Sequence, residues 1–69
     1  MFYANFITSS KKSYLWVLDS RNNLINMIRS AEFWAKKHPK ADDIVEIEIC
    51  TGIKNKQILY KKPFKKIEL

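Results

Sequence analysis

Leu24, Met27, Ile28, Ala31, Trp34, Ala35 and His38 recur at spacings of three and four, and Pro39 follows at once. At 3.6 residues per turn these positions form one apolar stripe about five turns long. A proline pushes the residue before it out of the α region, so the stripe ends there. Asp19 or Ser20 can accept from the open N–H groups of a first turn. Residues 20–37 are therefore predicted as a helix, and no other segment has this period. Every remaining element has to supply a surface for this one stripe.

The flanking segments read as strands. Residues 1–8 place Phe2, Ala4, Phe6 and Thr8 on one side and Met1, Tyr3, Asn5 and Ile7 on the other. "SSKKS" at 9–13 is a polar turn, and "YLWVL" at 14–18 is a second aromatic and branched run, which predicts an antiparallel hairpin with apolar residues on both faces. After "PKADD", residues 44–50 alternate, with Val45, Ile47 and Ile49 against Glu46, Glu48 and Cys50. Gly52 and "KNK" supply a turn, and residues 57–61 return as its partner, with Ile58 and Tyr60 toward the helix. Pro63 bars a central strand, so "FKKIEL" is expected as an edge extension or a tail. The predicted fold is α+β in one domain, residues 1–69: a single helix packed on one face of a small antiparallel sheet, in the order β-β-α-β-β.

Composition limits function more than it assigns it. A chain of 69 residues buries a modest share of its surface. Its one cysteine, Cys50, has no second thiol for an intrachain disulfide, which fits a reducing, cytoplasmic setting. The apolar start "MFYANFITSSKK" is interrupted by Asn5 and lacks the charge and cleavage pattern of a signal peptide, and no uncharged run is long enough to span a bilayer. No membrane role, metal, cofactor or enzymatic chemistry is therefore expected: there is no glycine-rich phosphate loop, no metal-ligand Cys/His spacing, and the acids Asp42, Asp43, Glu46 and Glu48 lack calcium-loop spacing.

The net charge of +6 is unevenly placed. Residues 54–69 hold six lysines against Glu68, while residues 1–53 hold seven Lys/Arg against six acids. Lys61, Lys62, Lys65 and Lys66, interleaved with Tyr60 and Phe64, have the composition of a single-strand nucleic-acid contact, in which lysines follow phosphates and rings stack on bases. The bland reading pairs some of these lysines with Glu46 and Glu48 across neighbouring strands. With only Arg21 and Arg29 as arginines, reading of base edges is not expected. Phe33 lies about 180° from the stripe centre at 100° per residue, among Asn26, Arg29, Lys36 and Lys37, and so reads as a partner contact on the outer helix face. Trp16 and Trp34 read as core, His38 as a helix-end cap, and Cys50 as an outward thiol without an activating neighbour.

As a pattern, "MFYANFIT", "YLWVL", "SRNNLINMIRSAEFWAKK", "DIVEIEIC" and "QILYKK" resemble, in order and length, small phage-encoded inhibitor proteins such as some anti-CRISPR proteins. That resemblance implies a stoichiometric inhibitor in the host cytoplasm that docks on a protein partner in a nucleic-acid-handling complex. The expected contact residues are Arg29, Phe33, Lys36, Lys37, Lys61, Lys62, Phe64, Lys65 and Lys66. The alternative is a module that binds DNA or RNA directly and without sequence specificity. A third reading is a self-associating subunit, a homodimer formed through the second apolar face of the first hairpin or through a free strand edge.

Overall fold

The computed structural model describes residues 1–19 and 23–66. Strands β1 (Phe2–Thr8) and β2 (Ser13–Leu18) precede helix α1 (Leu24–Lys37), and strands β3 (Ile44–Thr51) and β4 (Gln57–Pro63) follow it. All pairings are antiparallel, and the sheet order is β2-β1-β3-β4. The expected α+β architecture is present. β2 and β3 therefore flank β1 and run in the same direction, and α1 carries the chain from one to the other across the sheet.

The strand register explains the core. Ala4 stands opposite Trp16 on one side and Ile49 on the other, and Phe6 opposite Tyr14 and Ile47. Residues directly opposite share a face, so these rows form the floor on which α1 lies. Met27, Ala31 and Ala35 press onto Ala4, Phe6, Ile47 and Ile49. Alanine at positions 4, 31 and 35, each fully buried, lets the helix lie near the sheet.

Four local readings are corrected by the structure. The described helix begins at Leu24, where the Asn23 side chain, not one of the expected caps, accepts from the Asn26 N–H at 2.8 Å and caps the first turn; Ser20, one of the two expected caps, lies outside the described residues with residues 21 and 22. Val45 is half-exposed because the β1–β3 register shifts between Ile7 and Thr8, which turns Ile44 into the core in its place. A second irregularity, between Ile49 and Cys50, sends Ile58 to the face opposite the helix and leaves Tyr60 opposite Ile49. Trp16 and Trp34 are not core: they are 37% and 39% exposed at the margin of β2 and α1.

Just past Pro63, Phe64 is tied into the fold. The Phe64 N–H donates to the Val45 carbonyl at 3.0 Å, and the ring joins the buried cluster. Pro63 is accommodated because β4 is an edge strand with no further neighbour to receive an N–H. Residues 67–69 of "FKKIEL" lie outside the described residues. At the helix end, His38 behaves as a cap: its N–H donates to the Ala35 carbonyl, and its Nδ1 accepts from the Lys40 N–H at 3.0 Å. Its ring packs on Phe6 and Tyr14, tying the cap to the core.

Candidate functional site

The outer surface of α1 carries two adjacent ridges. Phe33 and Lys37, four residues apart, form one of them. The Lys37 ammonium stands 4.9 Å from the Phe33 ring centroid, and Phe33 remains 51% exposed. Such a cation over a ring face is attracted to the π-electrons, and the lysine stem covers part of the ring. Beside it the Trp34 ring meets Phe33 edge-on at 5.1 Å and stacks on Trp16 at 5.0 Å with an interplanar angle of 26°. Phe33, Trp34 and Trp16 thus form one continuous aromatic ledge from the top of the helix down to β2. The helical period exposed Phe33 in the sequence, whereas the tryptophans read as core, Trp34 because it sits on the helix stripe and Trp16 because it lies in a strand. The missing information was that β2 is an edge strand, so Trp16 has a cross-strand partner, Ala4, on one side only.

Arg29, Glu32 and Lys36 form the second ridge at spacings of three and four. Glu32, between Arg29 and Lys36 on this ridge, receives Lys62 from β4 at 2.6 Å. Lys66 pairs with Asp42 at 3.5 Å. Lys61 stands opposite Glu48 in the register, but that carboxylate takes Lys56 at 3.0 Å instead. Lys36, Lys61 and Lys65 make no ion pair with another described residue, and they lie on three different parts of the surface. Phe64 is 6% exposed and belongs to the core, so its expected role as a surface contact is overturned. The residues singled out in the sequence therefore come together as one helix patch, and the C-terminal ones do not form a continuous lysine track.

The sheet face away from the helix holds a buried polar row that the strand pattern alone did not reveal. Tyr3, Asn5, Glu48 and Cys50 are all buried there. The Tyr3 hydroxyl donates to the Gly52 carbonyl at 2.9 Å, and Asn5 Nδ2 donates weakly to Cys50 Sγ at 3.8 Å. Gly52 has φ +84°, and a Cβ there would stand 2.6 Å from the Asn55 carbonyl oxygen, so glycine is required for the turn that brings Lys56 back onto Glu48. Burial pushes the Cys50 thiol up, with Lys56 opposing and Glu48 adding to the shift. The hydrogen bond to Glu48 holds the Lys56 ammonium above its ordinary value. Cys50 is a buried packing residue rather than the outward thiol that the alternation predicts, and a thiol kept protonated by burial is a poor nucleophile.

Among the described residues no group of three or more His, Cys, Asp or Glu side chains is arranged to hold a metal ion. No described helix is long and apolar enough to cross a membrane. Compared with protein-family models, curated proteins and solved structures, the chain matches none.

Proposed function

We propose that this chain is a small non-enzymatic binding protein that docks on a protein partner through the aromatic ledge of Phe33, Trp34 and Trp16, flanked by Lys37 and Lys36. The observation that carries this reading is the ledge itself: three large rings in sequence, Phe33 against Trp34 and Trp34 against Trp16, each more than a third exposed. Large aromatic residues are the usual energetic anchors of protein interfaces, with a polar rim around them. The partner belongs to a complex that handles nucleic acid, and the chain acts as an inhibitor of the phage-encoded, anti-CRISPR-like kind. A complex loaded with nucleic acid offers both an apolar protein surface for the rings and phosphates for the lysines of a chain with net charge +6.

Direct nucleic-acid binding is the weaker reading for two physical reasons. Base stacking needs an open ring face. Trp16 and Trp34 occupy one face of each other, and Lys37 covers a face of Phe33. Lys62, Lys66 and Lys56 are also engaged by carboxylates and would have to exchange partners to follow a phosphate backbone.

Affinity purification from the native host, with and without nuclease, separates the two. The docking reading expects a protein partner at stoichiometric yield that survives nuclease treatment. Recovery of nucleic acid alone, or loss of every partner after nuclease, would contradict it. Fluorescence anisotropy of the purified chain with labelled DNA or RNA at low salt is expected to stay flat.

A further inference from the structure

The two edges of the sheet are guarded unequally. β4 carries Lys61, Lys62, Pro63 and a register irregularity, all of which hinder the addition of another strand. β2, with sequence SYLWVL, has no lysine, no proline and an unbroken register with β1 from Ile7↔Ser13 to Phe2↔Leu18. Leu15 and Val17 are 57% and 58% exposed on the face away from the helix, and Trp16 is half-exposed on the helix face.

The hairpin turn decides which backbone groups of β2 look outward. Thr8 N–H donates to the Lys12 carbonyl at 2.9 Å, and bonded pairs alternate along an antiparallel ladder. Tyr14, Trp16 and Leu18 accordingly bond to β1, while Ser13, Leu15 and Val17 present their N–H and C=O groups to the open edge.

We infer that this edge is filled by β2 of a second copy, antiparallel about a two-fold axis that passes between the two Trp16 residues, giving one eight-stranded sheet with both helices on the same side. In that register Leu15 meets the second copy's Val17, Tyr14 meets its Leu18, and the two Trp16 residues face each other across the axis. Every central pair is apolar, and each residue keeps the face it already has. The Trp16 pair falls at a non-bonded position, where Cα atoms approach to roughly 4.5 Å. The rings then follow one another as Trp34, Trp16, Trp16 and Trp34. The self-complementary apolar register selects a second copy for this edge, and charge permits it there. Two chains of net charge +6 repel over most of their surfaces, and β2 offers six consecutive residues with no charge at neutral pH. The pairing is argued from the β2 edge alone and not from the docking function; it places Trp16, the β2 end of the docking ledge, in the seam and leaves Phe33 and Lys37 on the outer helix ridge outside it.

Sedimentation equilibrium over a dilution series tests it. The mass is expected to rise from 8.2 kDa toward twice that value by high micromolar concentration. Val17→Lys places a charge on an exposed position outside the core; it is expected to hold the chain monomeric with an unchanged circular-dichroism spectrum. In a Cys50→Ala background, Trp16→Cys is expected to oxidise to a covalent dimer, because opposed Cα atoms at a non-bonded pair lie within disulfide range; Leu15→Cys is not. A monomer at all concentrations, a dimer indifferent to Val17→Lys, or cross-linking through Leu15→Cys instead of Trp16→Cys would each overturn the proposal.

Discussion

The margin formed by β2 and α1 and the margin formed by β4 and residues 64–66 reverse the expectation that charge marks the contact and aromatic rings mark the core. On the β4 side, where the lysines concentrate, Phe64 is buried and Lys62 and Lys66 are held by Glu32 and Asp42. On the β2 side, where the strand itself carries no charge, Trp16, Trp34 and Phe33 reach the surface together. The cause is topological. β4 is continued by a chain segment that folds back over the start of β3, whereas nothing follows β2 in the sheet. Exposure of a ring depends on which strand is outermost, and a local pattern of residues does not carry that information.

The sharpest contrast is between two phenylalanines. Phe64→Ala removes a buried ring and is expected to destabilise the fold by about 3–5 kcal/mol in urea denaturation. Phe33→Ala is expected to cost less than about 1 kcal/mol. Similar losses for the two would erase the difference between the margins. Trp34→Ala comes next, at about 1–2 kcal/mol, because it removes a stacked pair and a part-buried ring; a red shift in Trp16 fluorescence should accompany it.

The alkaline limb of stability reports on the polar row beneath the sheet. The folded state holds the Cys50 thiol protonated above its ordinary value of 9.0 and the Lys56 ammonium charged above 10.5. Both pKa values are raised on folding, so their contributions are fully present below those ordinary values and are lost as pH rises through the folded ones. Denaturation midpoints should fall from about pH 9 upward, and Cys50→Ala should delay the onset. A midpoint that rises over this range would show that the row is not buried as described. The smallest effect is expected for Lys66→Ala, whose partner Asp42 is largely exposed: less than about 0.5 kcal/mol, and within error at high salt.

Much of the architecture was legible in the residues. The 3.6-residue stripe before Pro39, the alternation of Ile47 and Ile49 with Glu46 and Glu48, and the turn chemistry at "SSKKS" and Gly52 place one helix on an antiparallel sheet. What could not be read was decided by long-range pairing. The irregularities at Val45 and at Ile49/Cys50 change which side chains face the helix, and they arise from register with another strand. The burial of Phe64 rests on a bond from its N–H to Val45, nineteen residues earlier in the chain. Of the candidate site, Phe33 and its cationic neighbours followed from helical geometry. The tryptophans that complete the ledge did not, because β2 becomes an edge only once β3 has paired with the other side of β1.

The claim that docking runs through the ledge rather than through the C-terminal lysines is tested most directly by measuring partner affinity for two folded variants side by side. Phe33→Ala/Trp34→Ala is expected to weaken binding by at least roughly tenfold, as loss of aromatic anchors does. Lys65→Glu/Lys66→Glu is expected to weaken it by no more than a few-fold, with an effect that shrinks as salt rises. Full affinity in the aromatic variant together with loss in the lysine variant would contradict the account.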